Sequence, residues 1–416
     1  MTESAAAISL PRREKLALFA LALAARGAAA ALLAARVPRF GDSAAYIRAA
    51  EALWKTGTYP AWTDLAIFRP PGYPAFLALS TWGHPAWIVG DRAANAVLGA
   101  LAALVLASIA GRVAQSLPAA RIAGFAAAVY PPFLVLGVDP QSEPLCLVLL
   151  LVAGFLLLVS VDRPSSGCAL FAGGALALAA LTRPSVLPLG ILLAAPLFDR
   201  RFPFAVRRAL AASALFGFGV VLLPWTVRNA VRFHAVLPVS DGGAFVFWQG
   251  NSPSAEAYYR ARSRAETDEW VGEFGRDLAR WPAEIPGAGS PNPAVRARAF
   301  TRAAVAWIGA HPREEAELLL RKTVDWFRPW VDPRFHSRAL VFLSSAAYPA
   351  LAAAAAAGWL FSARRGLAAA SAAILVLTAI VHVSTIVAIR YRIVFWDPAL
   401  LVYAASAAAV PFRARP

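Results

Sequence analysis

GDSAAYIRAAEALWKTGTYPAWTDLAIFRPPGYPAFLAL, residues 41–79, separates the first two apolar runs of a 416-residue chain and reads unlike an ordinary membrane loop. Asp42 opens a run of helical spacing that sets Tyr46 one turn further along the same face. Arg69 to Pro74, RPPGYP, closes the segment with a turn stiffened by its prolines. A carboxylate, aromatic rings and an arginine held at the mouth of a membrane span suit an active site at a membrane surface.

What flanks this segment decides the fold class. The chain is 59% hydrophobic and 15% charged, with a mean hydropathy of +0.58, so it reads as an all-α polytopic membrane protein. Apolar runs of a length that crosses about 30 Å of hydrocarbon number about ten. They fall near residues 15–35, 90–111, 121–138, 144–161, 167–182, 186–198, 209–227, 338–362, 367–389 and 393–411.

Arginine placement orients them. Arg12, Arg13 and Lys15, then Arg112 and Arg121, Arg163, Arg200, Arg201, Arg207 and Arg208, Arg364 and Arg365, and Arg413 and Arg415 share one phase. Basic residues resist translocation, so that side is expected to be the cytoplasm and to hold both termini. The segment at 36–89, the short loop from Asp139 to Pro144 and a stretch at 229–336 then face the external, periplasmic side of an inner cell membrane. The expected division is a membrane core over 1–228, an external region over 229–336 and C-terminal spans over 337–416.

The formal charge of +16 does not point to nucleic acid, because the arginines are dispersed between apolar runs; topology and anionic membrane lipids account for it. Cys146 and Cys168 lie in or beside spans and imply no disulfide framework. The first apolar run contains Arg26 and lacks a small-residue cleavage site, so it is expected to be retained.

In the first external loop, Tyr46, Ala50, Leu53 and Trp54 recur at helical spacing beside Arg48, Glu51 and Lys55, predicting one or two helices along the membrane surface. The later external region reads as mixed. It has a turn at Ser240 to Gly243, a β-prone run Ala244 to Trp248, a charged helix around Glu256 to Arg280 and a loop at Pro286 to Pro293. It ends in an interfacial helix at 311–330 with Leu319, Thr323, Trp326 and Trp330 beside Arg321, Lys322 and Arg328.

Chemistry narrows to a few side chains. At the external end of the first span, Asp42 is placed to take a proton from an attacking hydroxyl, and Gly-Asp-Ser is equally a helix cap. Glu143, in DPQSEP, reaches the same face and is also a good first-turn residue for the next helix. Arg69, Arg183, Arg228, Arg390 and Arg392 lie near external span ends, where guanidinium can grip a phosphate or pair with Asp139, Glu143 or Asp397. His84, His234, His311, His336 and His382 have no ligand spacing, and Asp42 has no acidic neighbour, so no cofactor is called for and a divalent cation lacks support. No P-loop, GxGxxG or GxSxG is present, which removes the sequence basis for nucleotide hydrolysis and serine esterase chemistry.

Taken in order, GDSAAY, RPPGYPAFLAL, VYPPFLVLGVDPQSEP, ALTRPS, PWTVRN, GGAFVFWQGN, a His-Pro-initiated helix ending WFRPW, and RYR cover most of the chain. This order resembles the GT-C superfamily of membrane glycosyltransferases, in the branch with protein O-mannosyltransferases and the lipid A aminoarabinose transferase. The resemblance implies a polyprenyl-phosphate sugar donor, an acceptor hydroxyl on a cell-envelope glycan, lipid or protein, and an inverting single displacement on the external face. By resemblance Asp42 takes the general-base position and Glu143 the second acidic position. Tyr46, Arg69, Tyr73, Arg183, Arg228, Asn251, Arg390 and Arg392 are the expected substrate contacts. Ser43 stands where many relatives have a second acid, which puts a metal requirement in doubt. Two other readings stay open: a non-catalytic binder or flippase of lipid-linked sugars on the same scaffold, and a structural membrane subunit. A transporter would set ionisable groups near the midplane, where only Arg26 qualifies.

Overall fold

The computed structural model describes residues 8–33, 41–59, 69–84, 88–138, 140–261, 284–329, 333, 338–362 and 364–410, with the backbone alone at 41, 42, 339, 340, 343 and 365. Asp139, Trp330, His336 and the 262–283 part of the expected charged helix lie outside these residues.

The first half of the chain builds the bundle that carries the site. Helices α1 (Arg12–Leu33), α4 (Ile88–Ala114) and α5 (Leu117–Val129) pack on one another. On α4 the buried stripe Ala96, Ala100, Ala103, Ala107 and Ala110 follows helical spacing, and its small side chains let backbones approach closely where water supplies no driving force. Ser116 caps α5 by accepting from Ala119 N–H, an interaction of about 1 kcal/mol.

The expected span at 121–138 is broken. Tyr130 adopts φ −63° and ψ 113° because Pro131 disfavours α geometry in the residue before it, and a short α6 (Pro131–Leu136) restarts beyond. The freed end of α5 explains Arg26. Its guanidinium is buried and donates to the carbonyls of Ala127 and Ala128 at 3.4 and 3.1 Å.

Next come α7 (Glu143–Asp162) and α8 (Ser166–Thr182), then a 3-10 helix (Pro184–Phe198), then α9 (Phe204–Phe233). Pro188 and Pro196 lack the N–H that α geometry needs, which keeps the expected span at 186–198 in the tighter form. The C-terminal part is α14 (Arg338–Leu360), α15 (Arg365–Val383), α16 (Ile389–Phe395) and α17 (Asp397–Ala408). Among the described residues five helices are long and apolar enough to cross a membrane: α1, α4, α7, α9 and Gly366–Val383 within α15. The chain is a multi-pass membrane protein.

The arginines of the expected cytoplasmic loops meet at one end of this bundle. Asp162 accepts from Arg364 and lies 3.3 Å from Arg112, while Arg201 reaches Val161 O at 3.3 Å, tying the ends of α4, α7 and the α14 to α15 turn. Cys146 and Cys168 are free thiols.

The described part of residues 229–336 is helical, a correction to the mixed external region expected there; no strand occurs among the described residues. Its helices are α10 (Gly242–Gly250), α11 (Pro253–Arg260), α12 (Pro293–Ala310) and α13 (Pro312–Phe327). The β-prone run at Ala244 to Trp248 forms α10, since Phe245 and Trp248 fall on one helical face and pack on Phe300 of α12 at ring distances of 5.3 and 5.6 Å. Tertiary packing outweighs the β preference of the residue types. On α13 the buried face is Glu315, Leu318, Lys322 and Trp326, with Leu319 exposed, so the helix is turned away from the stripe expected for it.

Candidate active site

At the opposite end from Asp162, two short helices carry the opening segment: α2 (Gly41–Thr56) and α3 (Gly72–Ser80). Asp42 is the second residue of α2, inside its first turn. Tyr46 and Ala50 pack on Tyr73, Leu77 and Ala78 of α3, whereas Trp54 lies outside that stripe and is exposed. Pro70 and Pro71 lead into α3, and Gly72 lets it press on α8: a Cβ there would lie 2.6 Å from the Thr182 hydroxyl. The RPPGYP turn thereby sits beside Arg183, the next residue.

Glu143 is the centre of what gathers here. Its side chain is fully buried, with Oε1 2.8 Å from Arg183 Nη1 and 3.3 Å from Arg390 Nε. Arg183 also donates to Ser142 Oγ at 2.9 Å, and Tyr46 OH donates to the same oxygen at 3.4 Å. Arg390 donates to Gln141 Oε1 at 2.9 Å, while Gln141 Nε2 donates to Ser43 Oγ at 2.8 Å, which closes the loop back to α2. The Tyr391 ring lies under both guanidiniums, at 4.7 Å from Arg183 and 5.2 Å from Arg390. Arg69 stands 5.7 Å over the Tyr46 ring, and Tyr46 meets Tyr73 edge to face at 5.0 Å. Tyr73 OH donates to Asp91 Oδ1 at 3.2 Å, and Asn95 holds the other oxygen of that buried carboxylate at 3.0 Å.

Six of the expected residues, Tyr46, Arg69, Tyr73, Glu143, Arg183 and Arg390, therefore form one cluster with the start of α2 at its edge. Arg228 stands beside it in a supporting position: it donates to Tyr59 O at 3.2 Å, and the buried Tyr59 hydroxyl donates to the carbonyls of Arg69 and Pro70 at 3.1 and 3.0 Å. Burial raises the Tyr59 phenol above its ordinary pKa and keeps it a donor.

Asn251 and Arg392 fall elsewhere. Asn251 Nδ2 donates to Phe247 O at 2.6 Å and Ser384 O at 2.9 Å, joining α10 to the end of α15. Arg392 is two residues from Arg390 on a helix, about 200° around the axis, so it faces away. It stacks 4.0 Å from the Tyr348 ring, donates to Arg328 O and lies 3.9 Å from Asp397, whose other oxygen accepts from Tyr130.

Sequence reading missed Gln141, Ser142, Tyr391 and Asp91. The first two flank Glu143 in its loop and Tyr391 is the middle of RYR, so their motifs were in view. Asp91, an acid in the first turn of a 27-residue apolar helix, carried its own signal.

What can this arrangement do? Two guanidiniums share one buried carboxylate and a third, Arg69, lies over the neighbouring Tyr46 ring, so the cluster carries an excess of positive charge that favours an anion at its mouth. Among the described residues no group of three or more His, Cys, Asp or Glu forms a metal site.

The fold is similar to that of solved membrane proteins. Its solved counterparts include the archaeal oligosaccharyltransferase AglB from Archaeoglobus fulgidus, in a complex with an inhibitory peptide and a dolichol-phosphate (TM-score 0.57, 13% identity). A second structure, tethered to an acceptor peptide containing the NVT sequon, gives a TM-score of 0.56 at 14% identity. In both, the match covers 96% of this chain and 50% of the other, so the chain spans about half the length of the enzymes it resembles. No protein-family model and no curated protein matches the sequence.

Proposed function

We propose that this chain is a glycosyltransferase that moves a sugar from a polyprenyl-phosphate donor to a hydroxyl of a cell-envelope glycan, lipid or protein. The observation that carries this reading is the pairing of Arg183 and Arg390 with Glu143, with Arg69 over the adjoining Tyr46 ring, at the bundle end where α2 begins one residue before Asp42. The fold likeness to an enzyme solved with a dolichol-phosphate agrees with it.

In the proposed reaction Asp42 accepts the proton of the acceptor hydroxyl as its oxygen forms a bond to the sugar C1. The bond from C1 to the phosphate oxygen breaks, the electron pair stays on the phosphate, and the configuration inverts. The polyprenyl phosphate leaves as an anion, so no general acid is needed and cationic contacts suffice. Arg183 and Arg390 supply them, with Tyr391 beneath both planes. Glu143 aims the two guanidiniums, and Tyr46, backed by the buried Tyr73, gives the sugar an aromatic wall. The site faces the periplasmic side of the inner membrane, both termini are cytoplasmic, and the motif order ties the chain to the O-mannosyltransferase and aminoarabinose-transferase branch. Arg26, the one feature that favoured a transporter, is occupied by backbone carbonyls.

The test is transfer by the purified chain in liposomes, using labelled polyprenyl-phosphate sugars and envelope extract as the acceptor source. Label on a new acceptor with release of polyprenyl phosphate supports the reading. Donor that is bound or flipped but never cleaved, with every sugar tried, overturns it in favour of a binder or flippase.

A further inference from the structure

Between α15 and α16 the chain runs unwound over residues 384–388, and this strap delivers Arg390 and Tyr391 to Glu143. Side chains of the external region hold it at each step. Asn251 donates to Ser384 O at 2.9 Å, Lys322 Nζ to Thr385 O at 3.4 Å, and Val387 N–H donates to Tyr259 OH at 3.3 Å. Gly250 meets the strap directly; a Cβ there would lie 1.9 Å from Thr385 O, so only glycine allows the approach.

Lys322 is the hub of these contacts. Although it is fully buried, its ammonium also donates to Gly250 O and Asn251 Oδ1, each at 2.9 Å, so all three of its protons have acceptors on two chain segments. Beside it, Trp326 of the same helix stacks on His382 at 5.2 Å and 15°, and His382 stacks on Tyr391 at 4.6 Å and 23°. A column of rings therefore runs from α13 to the two site arginines. Burying a lysine is costly, and a chain that needed only to pack α13 on α10 would do it with an apolar residue.

We propose that Lys322 is a positioning residue for Arg390 and Tyr391, acting through the strap at 384–388, so that the external region sets the geometry of the anion site. The proposal rests on the reading of Arg390 as a phosphate contact. Burial lowers the Lys322 pKa to about 8, with the nearby Glu315 opposing, which leaves it a cation at neutral pH.

The experiment uses the full chain in lipid nanodiscs. Lys322→Met keeps an unbranched apolar side chain and removes the donors. Amide exchange over 384–392 is expected to quicken by about tenfold or more, with α4 and α7 unchanged, because the strap opens locally. Binding of a sugar-free polyprenyl phosphate is expected to weaken about tenfold in the Arg390 background and not at all in the Arg390→Gln background, which a general loss of structure would not reproduce. Unchanged exchange at 384–392, or equal loss in both backgrounds, overturns the proposal. Arg390→Gln that by itself leaves binding intact overturns the phosphate reading instead, and the exchange result still decides the strap. Should Lys322→Met fail to fold, Tyr259→Phe, which removes a single hydroxyl, is expected to quicken exchange at Val387 alone; no change there is equally fatal.

Discussion

Replacing Glu143 by Gln keeps the shape of the side chain and removes its charge, leaving Arg183 and Arg390 facing a neutral amide. For a fully buried pair the loss of one partner costs about 3–5 kcal/mol. Here the carboxylate is completely buried, but the Arg183 and Arg390 side chains retain 13% and 23% exposure, so water screens part of the residual repulsion. The expected cost is therefore about 2–3 kcal/mol. Denaturant unfolding of the purified protein in a fixed lipid or detergent environment measures it, and Arg183→Gln completes a double-mutant cycle. Because Arg183 lies 2.8 Å from Glu143, the two losses are expected to overlap, with a coupling energy of about 1–2 kcal/mol. Strict additivity, within about 0.5 kcal/mol, would refute the claim that the carboxylate organises the arginines.

Two further outcomes concern residues 229–336. Arg296 and Asp241 are fully buried, 2.8 Å apart, and join α12 to the turn before α10; Asp241→Asn is expected to cost about 3 kcal/mol, and Arg296→Met with Asp241→Leu to recover most of it, as read by limited proteolysis of the 240–310 region. The second concerns pH. The folded protein binds the Lys322 proton less tightly than the unfolded chain does, at about 8 against roughly 10.4, so the unfolded state carries the extra proton between these values. The penalty is present in full below about pH 8 and fades as pH rises towards 10, so wild type is expected to gain on the order of 1–2 kcal/mol relative to Lys322→Met across that window. Parallel stability curves for the two proteins would contradict it.

Hydropathy exposed the bundle because the lipid interior demands long apolar helices, and the arginine phase correctly grouped Arg112, Arg201 and Arg364 at one end. Irregularities inside the bundle were harder to see: the break at Tyr130 was written in its two following prolines, yet hydropathy runs through them. At the site, residue types were legible and pairings were not. Glu143 and Arg390 are distant in the chain, and only packing brings them within 3.3 Å. Helical geometry separates Arg390 from Arg392, a distinction available once RYR is known to be helical. Nothing in the composition around Lys322 announces a buried ammonium, since its acceptors are two backbone carbonyls and one amide from remote segments.

The central claim is that Asp42 deprotonates an acceptor during sugar transfer, and Asp42→Asn examines it with almost no change of shape. Single-turnover transfer from a polyprenyl-phosphate sugar, measured beside binding of the same donor, separates chemistry from affinity. The account predicts a rate lowered by about 10²- to 10⁴-fold with donor binding retained. Transfer by Asp42→Asn at the wild-type rate would contradict it.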